Sequence, residues 1–229
     1  MNPMTRAGEG ARERLYVVLV AIFVTSLVLG DVIGGKAMAT PLGAVSVGML
    51  PFPVTFLLTD IVNDFYGRRG AQFLTFVGFA MAAFAWLVLR VTTAVPTDPE
   101  SYFREHEYAR IFGGSSQLFI ASMIAYMVGQ FLDIYVFQFW KSLTQSNHLW
   151  LRATGSTIMS QLVDTTAINA IFWKWTAQKE WNWIFSKILR EYGIKLAIAV
   201  LLTPVVYALH GVVVGWLKIA PEPPESAKQ

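Results

Sequence analysis

Six apolar runs, each near the length of a membrane-spanning helix, constrain the fold of this chain more than any other feature. The runs cover residues 15–30, 45–59, 71–89, 118–132, 153–173 and 196–216. A helix needs about 20 apolar residues to cross the roughly 30 Å of hydrocarbon in a bilayer. Only 14% of the residues are charged, whereas soluble domains carry about 25%. We therefore predict an all-α, polytopic membrane protein, a bundle of about six transmembrane helices.

Polar stretches divide the chain into one membrane domain and two short ends. Residues 1–14 are predicted to form a polar N-terminal segment, residues 15–217 a single transmembrane domain and residues 218–229 a flexible, Pro-rich tail. The first run is longer than a signal-peptide core and further spans follow it, so we expect it to be retained. Segment 173–195 mixes tryptophan with basic residues and is predicted to lie along the membrane surface.

The distribution of basic residues is that of a membrane protein rather than a nucleic-acid-binding protein. The net charge is +3, but the basic residues stand singly at span ends instead of forming a patch. In the first three loops the basic residues favour a cytoplasmic N-terminus. Over the whole chain, the numbers of Lys and Arg on the two sides of the membrane are equal. We predict the lipid bilayer as a partner and no nucleic acid.

Catalysis and cofactor binding find little support in the sequence. The chain has no Cys, and its three histidines, His106, His148 and His210, are far apart. Neither Ser156 nor Ser160 has a histidine placed to act as its base. We therefore predict that the protein is not an enzyme and carries no metal or cofactor.

Two prolines stand at the start of the second apolar run. Pro51 and Pro53 disfavour a regular helix, so the second span is predicted to be Pro-broken, with an extended or re-entrant segment before helix resumes near Val54. Broken helices of transporters free backbone groups for solute binding. A kinked, lipid-facing entrance explains the same pattern equally well.

Carboxylates and amides inside the apolar runs are the candidate site. Gln130 with Asp133, and Gln161 with Asp164, repeat a Gln-x-x-Asp pattern that places both side chains on one helix face, and Asp60 is a third acid. An ionised side chain at mid-membrane costs about 3 kcal/mol, so such residues usually face a polar cavity. With a cytoplasmic N-terminus, the three acids fall at mid-membrane or nearer the cytoplasm, where they can line one cavity.

Three further residues complete the predicted substrate-binding set. They are Phe52, Asn63 and Ser160, one able to stack on a planar ring and two with hydrogen-bonding groups near the acids. Asp64 is expected instead to pair with an arginine at the membrane interface, Gly67 to end the helix that follows Asp60, and Ser122 to hydrogen-bond between helices. Amides beside carboxylates offer donors and acceptors to a planar, amidine-like heterocycle.

Short motifs also occur in order from about residue 45 to 173, and more loosely to 216. They include Pro51-Phe52-Pro53, Thr59-Asp60, Tyr66-Gly67, Ile111-Phe112-Gly113, Gly129-Gln130, Leu132-Asp133, Trp150-Leu151-Arg152, Ser160-Gln161 and Asp164-Thr165. Together they resemble the queuosine precursor transporter family, part of the vitamin uptake transporter group. The resemblance implies a six-helix protein of the bacterial inner membrane that imports 7-deazaguanine precursors of queuosine into the cytoplasm.

The solute implied by the resemblance suits the polar residues. A 7-deazaguanine presents a 2-amino group and a ring N–H to a carboxylate and a carbonyl to an amide. The 7-cyano precursor is uncharged and the 7-aminomethyl precursor is cationic, and the sequence does not decide between them. The alternative function is a substrate-binding membrane subunit for a vitamin-like solute that works with a separate ATP-driven module. The sequence does not determine the oligomeric state, and it is compatible with a homo-oligomer.

Overall fold

The computed structural model describes residues 3–41, 43–113, 116–145, 148–176 and 178–224. Within these residues, the predicted all-α fold is confirmed. Its helices are α1 (Pro3–Ile33), α2 (Phe52–Ala94), α3 (Glu105–Tyr108), α4 (Ser116–Leu143), α5 (Leu149–Asn169) and α6 (Trp181–Gly215). π-helical turns at Ala109–Gly113 and Ala170–Thr176 lie before α4 and after α5. The predicted end segments, 1–14 and 218–229, lie partly outside the described residues.

Four stretches of the described chain are long and apolar enough to cross a membrane. They are Gly10–Ile33, Val47–Ala94, Phe119–Leu143 and Trp181–Gly215. The second holds 48 residues because it contains two helices that meet at Gly67. Helix α5, with 21 residues, is more polar than the others. Counting both halves of α2, the described residues form six long helices, as predicted.

Gly67 forms the bend between residues 52–66 and 68–94 of α2. Its backbone has φ 67° and ψ −173°, and residues with a β-carbon rarely adopt such a positive φ. A β-carbon at this position would also lie 3.2 Å from Cγ of Glu222. The backbone conformation therefore favours glycine here, the nearby tail adds a tight contact, and the expectation that Gly67 ends a helix is confirmed.

Pro51 and Pro53 begin α2 rather than interrupt it. Pro51 is the residue before the helix and Pro53 lies in its first turn. Backbone N–H groups in the first turn have no partner within the helix, so proline costs no hydrogen bond there. The chain before them is extended: strands β1 (Ala37–Thr40) and β2 (Gly43–Ser46) form an antiparallel hairpin, followed by a 3-10 turn at Val47–Met49. The helix thus resumes at Phe52, slightly earlier than the expected Val54.

Segment 173–195 differs from the predicted surface segment. From Trp181 onwards it is the first part of α6, which runs through Lys195 to Gly215 without interruption. At 1.5 Å per residue this helix is about 52 Å long, more than the roughly 30 Å of hydrocarbon. The correction matters because it places Lys195 within the bundle rather than on its surface.

Helices α4 and α5 approach each other closely at Gly129. A β-carbon there would lie 3.0 Å from Cβ of Asp164, so only glycine permits this approach without a shift of its neighbours. Small residues commonly allow such helix contacts in membranes. The contact brings the α4 and α5 copies of the Gln-x-x-Asp pattern onto facing helices.

Candidate functional site

A cavity of about 520 Å³, including the part open to its surroundings, lies between α2, α5 and α6. Most of the wall is apolar and includes Met49, Phe52, Pro53, Phe56, Leu57, Ile198, Leu202 and Val206. The polar side chains of the wall are Asp60, Thr154, Thr157, Gln161, Lys195 and Thr203.

Asp60 and Gln161 bring polar atoms to the cavity that no described residue satisfies. Asp60 is 4% exposed and Gln161 is 1% exposed. Oδ1 of Asp60 and both amide atoms of Gln161 have no hydrogen-bond partner among the described residues. A buried polar atom left in this state costs about 1–3 kcal/mol. A bound solute that carries both donors and acceptors would satisfy these atoms.

Lys195 supplies a positive charge to the cavity wall. Its Nζ lies 2.8 Å from Oδ2 of Asp164 and 4.1 Å from the centre of the Phe52 ring. Asp164 itself is not among the residues that line the cavity, and it forms an ion pair with this lysine. The sequence interpretation missed Lys195 by placing it in a surface segment, although a lone basic residue just before an apolar run was a usable signal.

The Gln130–Asp133 pair also lies behind the cavity wall. Oδ1 of Asp133 accepts a hydrogen bond from Oγ of Ser160 at 2.9 Å. Oδ2 of Asp133 and both amide atoms of Gln130 have no partner within the described chain. Of the three predicted acids, Asp60 alone lines the cavity, and Asp133 and Asp164 form the layer behind it.

Asn63 faces α4 rather than the cavity. Its Nδ2 donates to the backbone oxygen of Ile134 at 3.4 Å, and its Oδ1 accepts from Nε2 of Gln138 at 2.5 Å. Phe52, in contrast, lines the cavity, with its ring centre 4.6 Å from that of Phe56. The structure therefore brings Phe52, Asp60 and Gln161 together from the predicted set.

A buried cluster of charges lies one helical turn beyond Asp60. Asp64 is 2.9 Å from Nζ of Lys141 and 2.9 Å from Nη2 of Arg152, and 3.3 Å from Nε2 of His210. Asp64 therefore does pair with an arginine, but its partner is Arg152 of α5 in a buried cluster rather than an arginine at the membrane interface. These contacts tie α2, α4, α5 and α6 together at this end of the cavity.

The chain ends reinforce the Asp64 cluster. The Glu222 N–H donates to the backbone oxygen of Asp64 at 2.9 Å, and the Glu222 carboxylate lies 3.0 Å from Nη2 of Arg12. Arg12 also donates to the backbone oxygen of Phe65 at 2.5 Å. The described part of the tail therefore packs against the bend of α2.

Asp31 is a further acid that the sequence interpretation missed. Oγ of Ser122 donates to its Oδ1 at 2.7 Å, so the interhelical hydrogen bond expected of Ser122 is confirmed and joins α1 to α4. Asp31 directly follows the first apolar run, which made it resemble a residue at the end of a span.

A helical membrane bundle that encloses an apolar cavity with a few buried polar groups has the architecture of a solute transporter. Residues 46–209 match the family model described as "Putative vitamin uptake transporter", and the chain belongs to this family. It is therefore a multi-pass membrane protein of a transporter family, and the prediction that it is not an enzyme is confirmed. No solved structure matches the chain significantly.

Three curated relatives have names that specify a solute. A "Probable queuosine precursor transporter" of Bacillus subtilis (strain 168) is 28% identical over 166 residues, which are 71% of this chain and 70% of the relative. A protein of the same name from Haemophilus influenzae is 33% identical over 119 residues, 52% of this chain and 47% of the relative. The "Queuosine precursor transporter" of Escherichia coli (strain K12) is 30% identical over 128 residues, 56% of this chain and 55% of the relative. The matched region spans about half the length of the last two.

Proposed function

We propose that this protein imports queuosine precursors, 7-cyano- or 7-aminomethyl-7-deazaguanine, across the bacterial inner membrane, with its N-terminus in the cytoplasm. The names of the relatives suggest the solute. The observation that carries the proposal is the cavity in which Asp60 and Gln161 hold buried polar atoms without a partner among the described residues.

The wall of the cavity matches the hydrogen-bonding edge of a 7-deazaguanine. A carboxylate accepts two parallel hydrogen bonds from adjacent N–H groups, so Asp60 would bind the ring N–H and the 2-amino group together. The amide of Gln161 would donate to the ring carbonyl. Phe52 and Phe56 line the same cavity and offer apolar faces to the heterocycle.

The predicted residues behind the wall have a supporting role in this proposal. Ser160 fixes the Asp133 carboxylate at 2.9 Å, and Asp164 fixes Lys195 at 2.8 Å. Alternating access in transporters moves helices against each other around a central site. Gln130 and Asp133, which keep atoms without a partner among the described residues, would contact the solute when the bundle rearranges. Asn63 holds α2 against α4.

Uptake by the purified chain in liposomes tests this function. We expect labelled 7-cyano- or 7-aminomethyl-7-deazaguanine to enter vesicles that contain this protein alone, and unlabelled precursor to compete with it. Adenine, which lacks the ring carbonyl and the 2-amino group, is the matched competitor that should fail. Binding without uptake until an ATP-driven module is added would instead indicate the substrate-binding subunit. Neither binding nor uptake of either precursor would refute the proposed import of queuosine precursors.

A further inference from the structure

We propose that Lys195 sets the charge preference of the cavity and makes it select an uncharged heterocycle over one that bears an ammonium group. This inference rests on the proposed function and specifies which solutes the same site prefers. It concerns a residue outside the predicted substrate-binding set.

Lys195 is placed where a cationic substituent would otherwise bind. Its ammonium lies 4.1 Å from the centre of the Phe52 ring, within the distance of about 6 Å at which aromatic faces attract cations. The same ammonium lies 2.8 Å from Asp164. The Phe52 ring and the Asp164 carboxylate would each attract a cation at this part of the wall, but the ammonium of Lys195 already contacts both.

A solute ammonium near Lys195 would be repelled as well as deprived of partners. The lysine is 9% exposed at its side chain, so little water screens its charge, and charge interactions strengthen as the surroundings become less polar. An uncharged ring meets no such repulsion and still finds the free oxygen of Asp60 and the amide of Gln161. The cavity wall thus discriminates on charge while it binds the shared ring.

A second lysine on α6 shows that the ion pair by itself does not define this role. Lys187 lies 2.5 Å from Glu191, and Glu191 accepts a hydrogen bond from Asn169 of α5 at 2.8 Å. Both pairs therefore contribute to contacts between α5 and α6. Of the two lysines, only Lys195 is among the residues that line the cavity, which makes Lys187 a matched control.

The experiment compares uptake of the cationic 7-aminomethyl form and the neutral 7-cyano form by liposomes. Lys195→Met keeps most of the length of the side chain but removes its charge, and leaves the Asp164 carboxylate open to a solute ammonium. We expect the ratio of aminomethyl to cyano uptake to rise at least tenfold over wild type. Lys187→Met should leave the ratio and the overall uptake unchanged.

A double variant distinguishes the loss of repulsion by Lys195 from the gain of attraction by Asp164. It also guards the test against misfolding caused by an unpaired Asp164. Lys195→Met with Asp164→Asn leaves no unpaired charge, so it should fold, and the uptake ratio should rise severalfold, less than in the single variant. An unchanged ratio in either folded variant overturns the role of Lys195 while the proposed function stands. Wild-type protein that takes up neither precursor overturns the proposed function and this inference with it.

Discussion

Oδ2 of Asp64 and Nη2 of Arg152 lie 2.9 Å apart, between α2 and α5, with side chains only 1% and 2% exposed. Asp60, one turn earlier on α2, is similarly buried, yet its Oδ1 has no hydrogen-bond partner among the described residues. Two carboxylates on one helix face therefore differ in role. Asp64 holds the bundle together, and Asp60 is available to a solute.

Replacement of Asp64 should destabilise the fold. Asp64→Asn removes the counter-charge of Lys141 and Arg152, which are 1% and 2% exposed, and breaking a buried ion pair costs about 3–5 kcal/mol. We expect a sharply lowered unfolding temperature or no folded protein in detergent. Glu222→Gln is the control because its pair with Arg12 is partly exposed and worth less than about 1 kcal/mol. Equal unfolding temperatures for the two variants would contradict the prediction.

Replacement of Asp60 should lower uptake but leave the stability of the fold unchanged. Asp60→Asn removes the carboxylate that accepts the two ring donors but breaks no ion pair, so the unfolding temperature should stay within about 2 °C of wild type or rise, on the order expected for a change below 1 kcal/mol. Uptake of both precursors should fall at least tenfold. Asp98→Asn, at an exposed acid, should have no effect on uptake. Normal uptake by the Asp60 variant would exclude this residue from the site.

Two glutamines offer a matched comparison of binding and packing. Gln161→Leu removes amide atoms that have no partner within the described residues, so uptake should fall at least tenfold without loss of stability. Gln138→Leu removes the amide that donates to Asn63 at 2.5 Å and should cost about 1–3 kcal/mol, because Asn63 is left buried without that donor. Thermal unfolding and liposome uptake should be measured on both variants. Lower stability of Gln161→Leu together with lower uptake by a stable Gln138→Leu would contradict the assignment.

The bend of α2 should depend on glycine. Gly67→Ala forces a β-carbon into a conformation with φ 67° and should lower the free energy of unfolding by about 1–2 kcal/mol. Gly193→Ala is the control, since a β-carbon there meets no atom within 4 Å and alanine favours helix by up to about 1 kcal/mol. Denaturant unfolding in detergent should therefore shift in opposite directions for the two variants.

Sequence reasoning predicted the helices and several of their ends because those signals are local. Long apolar runs specify spans, and Gly67 specifies the turn between two of them through its own backbone freedom. The hairpin of Ala37–Thr40 and Gly43–Ser46 was not predicted, since its residues have no strong strand preference and its pairing depends on tertiary context. The length of α6 was missed because Trp and Lys near Trp181 are equally typical of a surface segment.

The sequence alone was enough to establish a membrane bundle and the small set of buried acids and amides from which a site could be built. Only the tertiary structure decided that Asp60 and Gln161 reach the cavity, that Asp133 and Asp164 lie behind it, and that Lys195 completes its wall. Helical spacing tells which residues share a face of one helix. The rotation and approach of separate helices depend on contacts between distant residues, such as the 31 positions between Asp164 and Lys195 or the 88 between Asp64 and Arg152.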